Sequence, residues 1–478
     1  MKPKKAISLL LGPLLFLVVL FALDLKGLSD EGRAVLAVTC WMGVWWMTEA
    51  IAIEATSLLP IVLFPMTGAV EMKAATFPYA HPLIFLFLGG FLIALAIEKH
   101  HLHTRIALNI IHKIGTNPAR IILGFMIATG FLSMWISNTA STLMMVPIAL
   151  SVISNLQSEK SFSKALLLSV AYSASIGGMA TLVGTPPNIV FAGMVKDTFG
   201  VEISFFEWMM FGLPFSVCMI WLTWWLLTRF LFRLDQSASE DLGIKEKKEA
   251  LGALSTNEKR VLAIFCFTAF CWISRTYLLN FFIPRLNDTM IAIAGGLLLF
   301  IVPDSDGKKL LSWSETKKLP WGVLLLFGGG LTIASAFVKT DLAQWIGDGM
   351  NSLEGMSLVL LIFVVAALVN FLTEFTSNVA TASMVLPILA ALALAVGIHP
   401  YYLMVAAILA ASCAFMLPVA TPPNAIVFGS KKLLMRDMIK TGVWLNFISI
   451  LLIGLFVYFI MPMIWDLDMK DFTSSIGM

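Results

Sequence analysis

Apolar residues fill most of this chain in runs that are too long for soluble helices and are broken at recurring polar points. The first run, Ala6 to Leu23, follows Lys2, Lys4 and Lys5 and ends Phe21-Ala22-Leu23-Asp24. It is long for the apolar part of a signal peptide and lacks a small-x-small cleavage site, so it reads as a retained first span. Residues 121–158 contain no Asp, Glu, Lys or Arg. As one straight helix this stretch would run about 57 Å, against a hydrocarbon core of about 30 Å. The chain must therefore break inside it. The most polar spot is Ser137-Asn138-Thr139, and Ser and Asn are good helix N-caps, so a new helix is predicted to start there. Residues 165–195 are also uncharged and are interrupted at Gly184-Thr185-Pro186-Pro187-Asn188. Two successive prolines remove two backbone donors and disfavour helix just before them. Residues 375–430 repeat both breaks, at Ser377-Asn378 and at Thr421-Pro422-Pro423-Asn424.

Composition sharpens this reading. With 59% apolar and 13% charged residues in 478, the chain has about half the charge of a soluble protein. A soluble enzyme, a disordered chain and a nucleic-acid-binding module are excluded. The net charge of +3 is too small to point to a polyanion partner. The five cysteines lie in apolar stretches without zinc-ligand spacing and read as core thiols. The chain carries no H-E-x-x-H, paired-Asp prenyl-transfer or G-x-S-x-G motif, which argues against a membrane-embedded enzyme.

The breaks recur at nearly constant offset. Ser137-Asn138 parallels Ser377-Asn378, offset 240, as Leu88-Gly89-Gly90 parallels Gly328-Gly329-Gly330. Thr185-Pro186-Pro187-Asn188 parallels Thr421-Pro422-Pro423-Asn424, offset 236. Ordered matches of this kind argue for an internal duplication. The expected organisation is a first span and loop over 1–32, a first repeat over 33–234, a charged linker over 235–257 and a second repeat over 258–478. Basic residues gather at the N-terminus, in the 229–260 region and at Lys308, Lys309, Lys317 and Lys318, whereas the C-terminal tail holds Asp466, Asp468 and Asp471. The positive-inside rule then puts the N-terminus in the cytoplasm and the C-terminus outside.

Irregular backbone at membrane depth is tolerated where it is buried in protein or lines a wet cavity. Four breaks, two per half, point to one shared central cavity. Freed helix N-termini suit carboxylate or phosphate oxygens, and freed carbonyls with Ser, Thr and Asn oxygens suit a small hard cation such as sodium. The breaks hold no Lys or Arg, so an anion bound there would draw its counter-charge from co-bound cations. Two Ser-Asn tips facing each other favour a ligand with an anionic group at each end. Glu374 adjoins the second tip, where it can support the tip by hydrogen bonds or take part in proton coupling. Glu49 and Glu54 fall where the chain turns between spans and read as structural. Glu98-Lys99-His100-His101-Leu102-His103 reads as a solvated interfacial face, not a metal site. The 14 tryptophans, Trp45-Trp46 and Trp224-Trp225 among them, read as interface anchors.

These segments resemble the divalent anion/sodium symporter (DASS, INDY-type) family, and most closely its bacterial sodium-coupled dicarboxylate members. The resemblance rests on Phe131 to Thr139, Ala171 to Gly178, Thr181 to Asn188, Leu372 to Asn378 and Cys413 to Phe428, and it runs from about residue 33 to 465. It implies an all-α polytopic membrane protein with about 11 transmembrane helices and two re-entrant hairpins, near 82–98 and 320–338. It also implies an inverted-topology repeat, a scaffold domain that dimerises and a transport domain that moves as an elevator. One sodium site would use Ser133, Ser137, Asn138 and the Gly184 backbone; a second would use Thr373, Thr376, Asn378 and the Ala420 backbone. Substrate would meet Asn138, Thr139, Thr185, Ser377, Asn378, Thr421 and Pro422. The implied activity is sodium-coupled symport of C4-dicarboxylates such as succinate, malate and fumarate across a bacterial inner membrane, without an organic cofactor. A sodium-independent exchanger of the same fold and a sulfate or citrate transporter stay open as alternatives. One departure stands out: Val379 occupies the place of the family's Thr and lacks the hydroxyl that Thr139 carries.

Overall fold

A computed structural model describes residues 3–115, 117–155, 160–232, 234, 244–349 and 355–467. Residues 235–243 of the expected linker, Lys2 and the tail residues Asp468 and Asp471 lie outside the described residues. No β-strand is present among the described residues. Among the described residues, six helices are long and apolar enough to cross a membrane by themselves, and seven more apolar helices are shorter.

Three helices come first: α1 (Pro3–Leu17), α2 (Asp30–Thr48) and α3 (Leu59–Thr67). Seven follow: α4 (Pro82–Lys99), α5 (Leu102–Ile114), α6 (Pro118–Ser133), α7 (Asn138–Asn155), α8 (Lys160–Gly178), α9 (Pro186–Phe199) and α10 (Phe205–Trp225). The second half opens with α11 (Thr256–Ser274) and α12 (Asp288–Ile301). It continues through α13 (Trp321–Lys339), α14 (Leu342–Gly349), α15 (Leu358–Thr373), α16 (Asn378–Val396), α17 (Tyr401–Ser412), α18 (Pro422–Gly429) and α19 (Met435–Leu455). With α1 and the shortest helical turns set aside, each half has two helices followed by a series of seven. The starts of α5, α6 and α7 are each 240 residues ahead of those of α14, α15 and α16.

Local chemistry sets the ends. Asn117 caps α6 through its side chain, with Pro118 in the first helical position. Pro186 and Pro422 open α9 and α18, where the missing N–H costs nothing because the first-turn donors are unpaired anyway. Ser204 and Glu207 form a capping box at the start of α10.

Burial sorts the helices. All twelve residues of α17 are buried, and α8 is buried continuously from Ala165 to Gly178. A helix apolar on every side belongs in the centre. The spans containing α10, α11 and α19 are only 44%, 39% and 39% buried and carry exposed apolar side chains such as Trp221, Phe267 and Phe447. The halves interlock: α7 packs on α18 and α9 on α16, while α4 packs on α12 and α13 on α2 and α3. Both α6 and α7 lie against α8, as both α15 and α16 lie against α17.

Several expectations are corrected here. Residues 82–99 and 321–339, where hairpins are expected, are single unbroken helices. Their glycine pairs mark close helix contacts, not turns. A Cβ on Gly89 would stand 2.4 Å from the Ala292 backbone, and one on Gly329 would stand 2.5 Å from the Ser57 carbonyl oxygen. Small residues let membrane helices approach this closely. Cys266 is exposed, since α11 turns one side outward, so not every cysteine is a core thiol. Trp46 is fully buried and donates to the Ile53 carbonyl; Trp224 donates inward to Ala119. The histidine cluster is only partly solvated. His100 pairs with the Leu310 carbonyl, His103 is buried against the Ile97 carbonyl, and Lys99 pairs with Glu315 at 2.9 Å. Burial pushes the Glu315 carboxyl upward, but the bonds from Lys99 and Ser312 outweigh it and hold the group below the usual carboxylate range.

Candidate functional site

The four breaks converge on one cavity of about 1050 Å³. Its wall includes Ser137, Asn138, Thr139, Gly184 and Thr185 from the first half. From the second half it includes Thr376, Ser377, Asn378, Val379, Ala420, Thr421 and Pro422. Ser133 and Thr373, which do not line it, are fully buried one turn behind the tips. The charged residues on the wall are Glu49, Glu54, Glu98 and Lys318. The two acids read as purely structural therefore face the central space.

Each tip holds a trio of oxygens. Ser133 Oγ lies 2.6 Å from Asn138 Oδ1 and 2.6 Å from the Ala174 carbonyl oxygen. Thr373 Oγ1 lies 2.8 Å from Asn378 Oδ1 and 2.9 Å from the Ala411 carbonyl oxygen. A hydroxyl has one hydrogen to donate, yet each faces two acceptors. The surplus of lone pairs suits a hard cation. A further oxygen approaches in the first half. A Cβ on Gly178 would stand 2.5 Å from Asn138 Oδ1 and 3.0 Å from the Gly184 carbonyl oxygen. Glycine thus leaves open a cradle between those oxygens that any side chain would fill. Ser133, Asn138 and Gly184 are brought together, whereas Ser137 Oγ is occupied with the Ala140 N–H at the cap of α7.

The unwound segments are held by residues that sequence reasoning passed over. Asn188 donates its amide to the carbonyls of Met179 and Thr181, and Asn424 donates to those of Ala414 and Leu417. Both side chains are fully buried. The signal available in the sequence is that Asn directly follows both proline pairs. Thr181 Oγ1 donates to the Met134 carbonyl at 2.6 Å, which ties the first segment to the first tip. The two segments also touch at their starts, with Cys413 Sγ 3.9 Å from Met179 Sδ.

At the second tip Glu374 accepts from the backbone N–H groups of Phe415, Met416 and Leu417 and from Asn446 Nδ2, at 2.8–3.1 Å. Thr185 makes no side-chain cap bond, so its hydroxyl is available at the start of α9, whereas Thr421 Oγ1 accepts from the Asn424 N–H. Thr376 Oγ1 is 2.6 Å from Thr381 Oγ1 and 2.9 Å from the Leu372 carbonyl oxygen, within its own half.

A helical membrane protein with paired broken helices around a central cavity belongs to the class of secondary transporters by architecture. Comparison with known proteins narrows this. Residues 4–465 match the family described as the sodium:sulfate symporter transmembrane region, and the chain belongs to that family. It is therefore a transporter and not an enzyme. It is 44% identical to the sodium-dependent dicarboxylate transporter SdcS of Staphylococcus saprophyticus, over 97% of this chain and 93% of the relative. It is 46% identical to SdcS of Staphylococcus aureus over the same shares. In fold it is similar to the YdaH transporter of Alcanivorax borkumensis, with a TM-score of 0.59, 13% identity, and 96% of this chain and 99% of that one covered.

Proposed function

We propose that this protein is a sodium-coupled symporter of C4-dicarboxylates such as succinate, malate and fumarate. The observation that carries this reading is the pair of oxygen trios at the tips of one cavity, together with the lack of any basic residue in the four break motifs themselves. Cations held at Ser133, Asn138 and Gly184, and at Thr373, Asn378 and Ala420, with Ser137 and Thr376 beside them, supply the positive charge that the break motifs themselves do not. Substrate carboxylates then meet Asn138, Thr139 and Thr185 at one end, and Ser377, Asn378, Thr421 and Pro422 at the other. The names of the SdcS relatives support both the cation and the substrate class.

The re-entrant hairpins of this reading are α6–α7 and α15–α16. Laid end to end, α6 and α7 would extend about 51 Å, yet both pack on α8, about 28 Å long. Only a fold-back at residues 134–137 accommodates this. The α6–α10 and α15–α19 group, which carries the tips, is the moving domain of an elevator. The group of α4, α11 and α12, packed on one another, belongs to the scaffold. The protein sits as a homodimer in a bacterial plasma membrane with its N-terminus in the cytoplasm. Uptake of labelled succinate into proteoliposomes tests the activity. Accumulation should require an inward sodium gradient. Uptake indifferent to sodium but dependent on internal dicarboxylate would replace the symporter with an exchanger.

A further inference from the structure

The second tip contains a charge that the first does not. Glu374 is 1% exposed, and no described base pairs with it. The position 240 residues earlier is Met134. Buried carboxylates normally gain a partner of opposite charge, because desolvating an ion is costly. Here the partners are four N–H donors, three of them consecutive backbone amides of the unwound segment after α17. The same segment is gripped from its other side, since Asn424 takes the carbonyls of Ala414 and Leu417. With amides 415–417 fixed by Glu374 and carbonyls 414 and 417 fixed by Asn424, the chain is set rigidly up to Leu417. The Ala420 carbonyl follows three residues later. Glu374 also lies between Thr373, whose hydroxyl is 2.8 Å from Asn378 Oδ1, and Thr376.

The two cradles differ at a second point. The Asn188 and Asn424 bonds align Thr181 with Leu417 and Gly178 with Ala414, since Asn188 also reaches the Gly178 carbonyl. A buried methyl thus stands in the second half at the position that glycine leaves open in the first. A first cradle that is open and uncharged faces a second that is more filled and sits beside a fixed anion.

We infer that Glu374 is a positioning residue that makes the two cation sites unequal. It sets the backbone of the second site and contributes a buried negative charge that raises cation affinity there. This rests on the sodium-coupled reading above. The first site depends on cradle geometry alone.

The test uses the full-length protein in proteoliposomes, with sodium titrated at fixed succinate and succinate titrated at saturating sodium. Sodium binding is also followed without substrate, as the rise in melting temperature of the detergent-solubilised protein. Glu374→Gln keeps the shape, removes the charge and turns one acceptor into a donor aimed at backbone N–H groups. Its half-saturating sodium concentration should rise about tenfold or more, the usual range when a group behind the metal ligands is lost. Succinate half-saturation at saturating sodium should move less than about twofold, and the sodium-induced rise in melting temperature should shrink. Glu374→Asp, which retains the charge, should recover part of the sodium affinity. Asn446→Ala removes one of the four donors and keeps the carboxylate, so it covers the case in which Glu374→Gln does not fold; its sodium curve should shift in the same direction by a smaller factor. Sodium curves that superimpose on the unmodified protein's would overturn the inference. So would a lower maximal rate at unchanged sodium half-saturation, which marks a merely structural role. Failure of the underlying reading looks different, because uptake by the unmodified protein would then not depend on sodium at all.

Discussion

The two halves use the same backbone plan and hold it with different chemistry. In the first, the tip carries Trp135, stacked on Phe205 with ring centroids 5.8 Å apart and packed edge-on to Phe265 at 5.0 Å. Its unwound segment is linked to that tip by the Thr181 hydroxyl, which donates to the Met134 carbonyl. In the second, the residue 240 positions on is Phe375, which is 69% exposed and lines the cavity. There the segment is tied by the Glu374 carboxylate. Two halves on a matching plan can therefore keep their tips in corresponding places while an aromatic wedge secures one and a buried, hydrogen-bonded carboxylate secures the other. Packing is tolerant of small shifts in a polar ligand, whereas a charge close to a cation site alters affinity directly.

The comparison can be broken most severely at the residues the halves share. Asn138→Ala and Asn378→Ala should each abolish succinate uptake while leaving protein yield intact, because each removes an oxygen common to cation and substrate. Normal uptake in either variant would defeat the assignment of the tips. Next comes Gly178→Ala, which places a methyl 2.5 Å from Asn138 Oδ1. Sodium half-saturation should rise by about tenfold or more as the cradle fills. The unchanged sodium curve of such a variant would show that the first cradle holds no cation.

A stability measurement separates the two tips further. Trp135→Leu loses three aromatic contacts, to Phe205, Phe265 and Trp272, each worth about 1 kcal/mol, and should lower the melting temperature of the purified protein. Phe375→Leu, at an exposed ring without such contacts, should leave it nearly unchanged. Equal losses would mean that the first tip is not specially secured. The smallest effect is expected at Val379→Thr, which restores the hydroxyl that the second tip lacks. It should shift preference among dicarboxylates by only a few-fold, the range of one added hydrogen bond of about 1 kcal/mol. A competition panel of succinate, malate, fumarate and citrate reads this out.

Particular residues show what reading along the chain can and cannot do. The Pro-Pro-Asn motifs announce helix starts because proline constrains its own residue and the one before it, with no help from neighbours. The glycine pairs mislead for the opposite reason. Gly89 and Gly329 have ordinary helical surroundings along the chain, and their meaning lies in the Ala292 and Ser57 backbones that pack on them. Trp45-Trp46 has the composition of an interface anchor, but burial against the Ile53 carbonyl depends on how the chain turns back after α2. Glu49 and Glu54 look structural in sequence because only the assembled fold opens a cavity beside them.

The sequence by itself determined the membrane setting, the recurrence of the break motifs and the four places where helices must stop. Those follow from hydrophobic length, repeated motifs and proline geometry, all of which are local. Only the tertiary structure decided that α6 and α7 share one supporting helix, that Gly178 opens a cradle beside Asn138, and that Glu374 reaches 41 to 43 residues along the chain to three amides. These are contacts between distant segments, and their energies depend on distance and burial, which exist only once the helices have packed.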